Sequence, residues 1–180
     1  NAGLRAAQGE WVALLDADDY WMPEKLAEQW AVVQQFPDIG LVTGNYFFDQ
    51  AGKRGINAYD APSTGYERLP KSALTPTAVR VTIADLSAQL AQGNAWLGLN
   101  SSAVLFRKAD ALAVGGYDTS LSRLEDMEFF GRLLPTFSAI ALVATPLVAY
   151  RWHGANSTHH HAQMAECHVR FREMVLQTPS

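Results

Sequence analysis

The sequence predicts one α/β domain, built as a mixed sheet flanked by helices. Its 180 residues are 48% hydrophobic and 18% charged, which is the balance of a soluble globular protein. A single core suits this length, since domains average roughly 150 residues. Short apolar runs alternate with segments of helical period, and an acidic cluster directly follows the first apolar run. Open α/β sheets place their ligands at the carboxyl ends of strands in this way.

Composition excludes several classes of protein and partner. No stretch approaches the roughly 18 consecutive apolar residues of a membrane span. Lysine and arginine total 14 against 18 aspartates and glutamates, a net charge of −4. These charges are mixed along the chain, so nucleic acid is not an expected partner. The single cysteine, Cys167, has no partner for an internal disulfide, which fits a reducing compartment.

The first predicted elements are a helix, a strand and a second helix. Residues 1–8 favour a helix, with Gly9 at the position of a C′ residue. Residues 10–15 form a short apolar run that favours a buried strand. The second helix begins at Pro23 and ends before Pro37. The expected core residues of this strand and helix are Trp11, Leu26, Trp30 and Val33.

The middle of the chain predicts a hairpin, a long loop and a helix. Residues 41–48 favour a strand, and the turn at 49–52 closes a hairpin with residues 53–59. Residues 60–77 show neither the helical nor the strand period of apolar residues, which predicts a long surface loop. Long loops are a common place for lids and binding segments. A capping box then opens a helix over 82–92.

The remaining elements continue the alternation of strands and helices. Residues 101–106 favour a strand and residues 108–114 a short helix. A turn at 115–118 contains two glycines and needs positive φ. Residues 125–134 suit a helix with acidic residues at its N-terminus, stopped by Pro135. Further predictions are strands over 139–143 and 147–150 and a terminal helix over 160–176.

The acidic cluster contains Asp16, Asp18 and Asp19. Two unit charges about 4 Å apart repel by roughly 4 kcal/mol at an effective dielectric of 20. A divalent cation with a preference for oxygen ligands, Mg²⁺ or Mn²⁺, offsets that repulsion. The alternative is that one aspartate caps the next helix and the others face water. A calcium EF-hand loop is excluded, because Trp21 and Ala27 occupy the positions of its glycine and final glutamate.

Other chemistry-bearing residues have competing interpretations. An aspartyl phosphatase or phosphotransferase also places Asp-x-Asp after a strand, and Asp16 would then attack phosphorus. Such enzymes continue with small residues, whereas Tyr20 follows this cluster, so this is the weaker enzyme alternative. Residues 159–161 are consecutive histidines, which point to different sides of a helix and are expected at the surface. Aromatic residues that suit either ligand stacking or ordinary packing are Trp21, Tyr66 and Trp96.

Three stretches resemble the family 2 glycosyltransferases, which have the GT-A fold. Residues 1–26 carry in order an N-x-G helix end, a G-E-hydrophobic strand, D-A-D-D, and a proline before a K-L helix. Residues 102–133 carry a strand, a G-G-Y-D turn and an E-D helix start. Residues 150–157 resemble the family's closing Y-R-x-H stretch. The resemblance therefore spans most of the chain.

The resemblance implies roles for five residues. Asp18 would hold the Mg²⁺ or Mn²⁺ ion that bridges the diphosphate of the nucleotide-sugar donor, and Asp16 would contact either that donor or the ion. His153 would offer its imidazole to the metal or a hydrogen bond to the diphosphate. Asp126 would be the general base for the acceptor hydroxyl, and Glu125 would bind the acceptor. A single displacement of this kind inverts the configuration at the anomeric carbon.

The resemblance also implies a partial catalytic domain over residues 1–180. The family's first βαβ elements, whose I-P-x-Y-N and D-D-G-S motifs bind base and ribose, are not in this sequence. We therefore expect an N-terminally truncated fragment, inactive and poorly stable alone, with an exposed edge at residues 12–15. Its expected regions are a metal and donor side (1–60), a variable loop and helix (61–99), an acceptor side (100–160) and a terminal helix (161–180).

The expected partners are a nucleotide-diphosphate sugar and a saccharide, lipid-linked or protein acceptor. The resemblance favours a cytoplasmic location and is compatible with peripheral attachment at the inner face of the membrane. A carbohydrate-binding remnant that keeps the fold without turnover is the non-enzymatic alternative.

Overall fold

A computed structural model describes residues 1–61, 66–91, 99–121, 125–154, 156 and 169. These residues form one mixed sheet with flanking helices, so the predicted α/β class is confirmed. The helices are α1 (Ala2–Ala6), α2 (Lys25–Gln35), α3 (Ile83–Ala91), α4 (Lys108–Ala113) and α5 (Glu125–Leu133). The strands are β1 (Trp11–Ala13), β2 (Tyr20–Trp21), β3 (Leu41–Gln50), β4 (Lys53–Asn57), β5 (Ser72–Ala73), β6 (Ala78–Thr82), β7 (Leu105–Arg107) and β8 (Ala139–Arg151).

The long strands β3 and β8 lie at the centre of the sheet. Among the described residues the strand order is β1-β7-β3-β8-β6-β5, with β4 paired to β3 and β2 paired to β8. β3 and β8 run parallel, and the other pairings are antiparallel. Both central strands are buried over most of their length, as expected of strands covered on both faces. Their carboxyl ends therefore form a well-supported edge.

β1 is shorter and less buried than the strand predicted over 10–15. It pairs only with β7 among the described strands and lies at the edge of the sheet, half-buried throughout. Leu15, beyond its end, is 50% exposed. A short apolar run does not reveal whether a strand is central or at an edge, because that depends on pairing.

Two other strand predictions need correction. Segments 139–143 and 147–150 belong to the single strand β8, which passes through Pro146 with a register shift opposite Asn45. The shift accommodates a residue that has no N–H to donate. The segment predicted as a strand over 101–106 is divided, because Ser101–Ala103 is a 3₁₀ turn and β7 begins only at Leu105.

Short-range signals predicted the β3–β4 turn and the N-terminal cap of α3 correctly. The β3–β4 hairpin turns through Ala51 and Gly52, with φ of 53° and 82°, and the Gly52 N–H donates to Asp49 Oδ1 at 2.7 Å. At the start of α3, Thr82 Oγ1 accepts the Asp85 N–H at 3.0 Å. This contact confirms the predicted cap. The helices predicted over 108–114 and 125–134 are present as α4 and α5.

The cap at the end of α1 differs from the prediction. Ala7 is already extended, with φ −55° and ψ 134°, and Gly9 does not have the positive φ of a C′ glycine. Lys108 Nζ instead donates to the carbonyl oxygens of Arg5, at 3.3 Å, and of Ala7. A distant ammonium thus satisfies the helix end, and the glycine cap is wrong.

α2 buries a different face from the one that its hydrophobic period predicts. Leu26 and Trp30 are 47% and 44% exposed, so their predicted core positions are wrong, whereas Val33 is buried. The buried face carries Lys25 and Gln29, which are completely inaccessible. Residues of this polarity are almost never fully buried unless they are paired.

Lys25 and Gln29 are buried as a hydrogen-bonded pair. Lys25 Nζ donates to Gln29 Oε1 at 2.8 Å and lies 4.3 Å from the centroid of the Trp21 ring. Gln29 Nε2 donates to the carbonyl oxygen of Ala103 at 2.7 Å. These contacts fix the rotation of α2 about its axis, and they connect residues far apart in the chain.

The segment predicted as a surface loop over 60–77 is largely structured where it is described. Tyr66 is buried and stacks on Tyr59, with ring centroids 4.1 Å apart. Leu69 is also buried, and β5 pairs with β6. Aromatic and aliphatic residues at irregular spacing therefore contribute to the core although they show no helical or strand period. Residues 62–65 and the predicted helix over 160–176, except residue 169, lie outside the described residues.

The glycine turn after α4 provides a matched pair of substitutions. Gly115 and Gly116 both have positive φ, of 88° and 69°. A Cβ on Gly115 would meet nothing within 4 Å, whereas one on Gly116 would lie 2.5 Å from Asn1 Oδ1. That oxygen accepts the Tyr117 N–H at 2.8 Å, and Asn1 Nδ2 donates to the Tyr117 carbonyl at 2.7 Å.

We expect Gly115→Ala to lower the free energy of unfolding by about 1–2 kcal/mol, the cost of the left-handed backbone. Gly116→Ala should cost at least about 1 kcal/mol more, because it also displaces the Asn1 amide from its hydrogen bonds. Urea unfolding of both variants measures the difference. Equal losses would contradict the close packing of Asn1 on this turn.

The buried Lys25 makes stability depend on pH. Burial lowers the pKa of Lys25 to about 7, from an ordinary value of 10.5. Between these values the unfolded chain binds more protons than the folded one, so the free energy of unfolding should rise with pH. The scale is about 1.4 kcal/mol for each unit of pKa difference.

Lys25→Met removes this titration. We expect the rise in unfolding free energy between pH 7 and 10 to become smaller in Lys25→Met, because the group that releases a proton on folding is gone. Urea unfolding at several pH values measures it, with the exposed Lys53→Met as control. Parallel pH profiles for the wild-type protein and Lys25→Met would show that Lys25 folds in its charged form.

Candidate active site

The acidic turn, residues 16–19, is anchored to two other segments. Asp19 Oδ2 accepts the Ser102 hydroxyl at 2.7 Å, and Asp19 Oδ1 accepts the Arg151 N–H at 3.0 Å. The same Ser102 Oγ accepts the Asp16 N–H at 3.0 Å. Burial raises the pKa of Asp19, although these hydrogen bonds oppose the shift. The turn is thus held against the Ser101–Ala103 turn and the end of β8.

Trp21 adds a further connection to the Ser101–Ala103 turn. Its indole Nε1–H donates to the Ser102 carbonyl oxygen at 2.8 Å, and β2, which contains it, pairs with β8. Of the aromatic residues considered for ligand stacking, Trp21 packs beneath Lys25 and Tyr66 is in the core. Core packing is therefore the correct interpretation for Tyr66. Trp96 lies outside the described residues, as do the consecutive histidines at 159–161.

Asp18 and His153 meet although 135 residues separate them. The Asp18 Oδ2 and His153 Nε2 atoms are 3.0 Å apart, and both side chains are partly exposed. Asn156 supports the histidine: its Oδ1 accepts the His153 N–H at 2.5 Å, and its Nδ2 donates to the Arg151 carbonyl at 3.0 Å. The chain after β8 is therefore folded back so that the imidazole faces the acidic turn.

Asp126 lies in the first turn of α5. Its Oδ2 accepts the Ser101 hydroxyl at 3.3 Å, and its Oδ1 accepts the Met127 N–H at 2.7 Å. Burial raises the pKa of Asp126, and the charge of Glu125 raises it further. Glu125 itself is exposed at the start of the helix. Two consecutive serines thus contact the acidic groups. Ser101 donates a hydrogen bond to Asp126, and Ser102 donates one to Asp19 of the acidic turn.

Burial and neighbouring negative charges raise the pKa of Asp16 and of Tyr117. The pKa of Asp16 is raised to about 6, first by burial and then by neighbouring negative charges. The pKa of Tyr117 is also raised, first by burial. The charges that raise the pKa of Asp16 are, in order of effect, those of Asp19, Asp126, Asp18 and Glu125. The charges that raise the pKa of Tyr117 are, in order of effect, those of Asp126, Asp16 and Glu125. These residues therefore line one acidic region.

Sequence reasoning found most residues of this region but missed the two serines. Asp16, Asp18, Asp126 and His153 had been proposed as site residues, and the structure brings them to one end of the sheet. Nothing in the sequence indicated a role for Ser101 or Ser102, since both fell within a predicted strand. Among the described residues no three acidic, histidine or cysteine side chains converge as a metal-binding group.

Comparison with known proteins identifies the family to which this chain belongs. The model of the family described as "Glycosyltransferase like family 2" matches residues 1–165. The chain therefore belongs to that glycosyltransferase family.

Related proteins support this assignment. An uncharacterized glycosyltransferase of Haemophilus influenzae is 26% identical over 160 residues, covering 88% of this chain and 47% of the relative. Another from Nostoc sp. is 30% identical over 158 residues, covering 87% of this chain and 44% of the relative. The chain thus spans less than half the length of these relatives.

The fold is similar to that of S. aureus TarS. The crystal structure of TarS 1–349 in complex with UDP-GlcNAc superposes with a TM-score of 0.66 at 17% identity, covering 100% of this chain and 46% of that TarS chain. The complex with UDP gives a TM-score of 0.62 at 18% identity, covering 100% of this chain and 45% of that TarS chain.

Among the described residues of our chain, no helix has the length and hydropathy to cross a bilayer.

The electrostatic coupling within the acidic region is directly measurable. In Asp126→Asn the pKa of Asp16 should fall, because one of the negative charges that raise it is removed. Carboxyl-carbon NMR titration without divalent cations measures the shift, with the exposed Glu67→Gln as control. An unchanged Asp16 pKa in Asp126→Asn would place the two carboxylates too far apart to act together.

Proposed function

We propose that the full-length protein transfers a sugar from a nucleotide-diphosphate sugar to an acceptor hydroxyl, with Mg²⁺ or Mn²⁺ and with inversion at the anomeric carbon. The observation that carries this proposal is the contact of Asp18 with His153, together with the partly buried Asp126, whose charge acts on Asp16. Groups suited to a cation and a group suited to accept a proton thus lie around one acidic region. We assign residues 1–60 to the donor and metal side and residues 100–160 to the acceptor side.

Two features support a nucleotide-sugar donor. The TarS structures of similar fold hold UDP-GlcNAc and UDP. In this chain, Asp16 and Asp18 follow the carboxyl end of β1. Open α/β sheets bind their ligands at the carboxyl ends of their strands. A uridine-diphosphate sugar is therefore the first donor to test. The acceptor is a saccharide, lipid-linked or protein hydroxyl.

Asp18 and His153 suit a divalent cation. Asp18 Oδ2 and His153 Nε2 lie 3.0 Å apart, so both atoms would be within reach of one ion. Magnesium sites typically combine one or two carboxylates with substrate phosphate oxygens and water, and Asp18 would supply such a carboxylate. Bound there, the cation would act as a Lewis acid for the departing nucleoside diphosphate. Asp16, two residues before Asp18 in the same turn, would contribute to donor binding.

Asp126 suits the role of general base. Its environment raises its pKa, and a carboxylate with a raised pKa accepts a proton more readily. Ser101 orients the carboxylate, and Glu125 at the exposed helix start is available for the acceptor. Deprotonation of the acceptor hydroxyl by Asp126 would accompany attack on the anomeric carbon. One such attack inverts the configuration.

The test uses the full-length protein with UDP-GlcNAc and other nucleotide sugars, and measures nucleoside diphosphate release with Mn²⁺, with Mg²⁺ and with EDTA. We expect Asp126→Asn to lower kcat by about 10²–10⁴-fold, the usual range for a general base, while donor binding persists. Asp18→Asn should instead weaken donor and metal binding. NMR of the product should show inversion.

Two results would favour the alternatives. Phosphate release from a phosphomonoester, lost in Asp16→Asn but kept in Asp126→Asn, would indicate an aspartyl phosphatase or phosphotransferase. Metal-independent glycan binding that Asp18→Ala leaves unchanged would indicate a carbohydrate-binding remnant. Transfer that proceeds equally well in EDTA would contradict the metal requirement.

A further inference from the structure

Asp19 differs from its neighbour Asp18 in what its carboxylate contacts. Asp18 is partly exposed and faces His153. Asp19 is only 9% exposed, and its two oxygens accept hydrogen bonds from the Ser102 hydroxyl and the Arg151 N–H. One donor is the buried Ser102 hydroxyl, and the other is the Arg151 backbone N–H at the end of β8. Each carboxylate oxygen of Asp19 therefore already accepts a hydrogen bond from the protein.

Ser102 connects the acidic turn to the core. Ser102 is completely buried. Its Oγ accepts a hydrogen bond from the Asp16 N–H and donates one to the Asp19 carboxylate, so it contacts both ends of the turn. Its carbonyl oxygen accepts the Trp21 indole N–H at 2.8 Å. The turn that presents Asp18 is thus closed by one side chain from another part of the chain.

We infer that Asp19 and Ser102 form a positioning pair that sets the spacing of Asp18 and His153 for a divalent cation. This inference rests on the proposed function for its choice of ligand. Asp19 adjoins Asp18, and its partner Arg151 is two residues before His153. The pair therefore joins the two segments that carry the proposed metal ligands. Neither member of the pair is itself a ligand.

The test measures Mn²⁺ affinity of the full-length protein in the presence of UDP, by electron paramagnetic resonance of free Mn²⁺. Ser102→Ala should weaken Mn²⁺ binding by about 10–100-fold, the usual effect of removing a group that orients a ligand. Asp19→Asn should have an effect in that range, because one amide oxygen replaces two carboxylate oxygens. Asp18→Asn, which removes a proposed ligand, should weaken binding more than either.

A matched control separates positioning from general loss of stability. Thr82→Ala removes a hydroxyl that caps α3, through Thr82 Oγ1 and the Asp85 N–H, outside the acidic region. It should lower the thermal unfolding temperature but leave Mn²⁺ affinity unchanged. In Ser102→Ala, saturating Mn²⁺ should restore kcat, since the defect lies in ion binding. Trp21→Phe keeps an aromatic ring beside Lys25 but loses the hydrogen bond to the Ser102 carbonyl, and it should give a smaller loss of affinity.

Several outcomes would overturn the inference. The inference fails if Ser102→Ala and Trp21→Phe both bind Mn²⁺ as tightly as the wild-type protein. If Ser102→Ala does not fold, the Mn²⁺ affinity of Trp21→Phe alone is the test. A loss in Asp19→Asn equal to that in Asp18→Asn would make Asp19 a ligand. An equal loss in Thr82→Ala would show general destabilisation. If the wild-type protein binds no Mn²⁺, the metal part of the proposed function fails as well; if it binds Mn²⁺ but does not transfer sugar, only the proposed function fails.

Discussion

The 3₁₀ turn Ser101–Ala103 is the constraint on which the rest of the site depends. Its two hydroxyls hold Asp126 on one side and the acidic turn on the other. Its carbonyl oxygens accept hydrogen bonds from the Trp21 indole and from Gln29 of α2. Because these groups come from α5, from residues 16–21 and from α2, the turn fixes their relative positions. The proposed base and the proposed cation ligands are thus supported by adjacent residues.

The site is built from polar groups that are expensive to bury. Lys25, Gln29 and Ser102 are completely inaccessible, and Asp19 is nearly so. Buried polar groups stabilise a fold only when they are paired, but a paired network restricts the arrangements that the chain can adopt. An apolar interior would allow the acidic turn to shift against β8. The hydrogen bonds to Ser102 and Arg151 allow one position, which is also the position that brings Asp18 to His153.

Local signals and long-range pairing account for the agreement and the disagreement between sequence and structure. The hairpin turn at Ala51 and Gly52 and the cap at Thr82 depend on residues three positions apart, so the sequence was sufficient to predict them. The exposure of Leu26 and Trp30 was not predictable from helical period, because the bonds of Gln29 to Ala103 decide which face of α2 is buried. Likewise, the burial of Tyr66 depends on its stacking against Tyr59.

The sequence by itself determined the α/β class, the family resemblance and the candidate residues Asp16, Asp18, Asp126 and His153, because order and spacing along the chain carry that information. Only the tertiary structure decided which of these residues meet. The contact of Asp18 with His153 spans 135 positions, and it follows from the pairing of β2 with β8 and from the anchoring of Asp19. The role of Ser102 was likewise decided in three dimensions, since a lone hydroxyl has no pattern and acquires its partners only when distant segments pack.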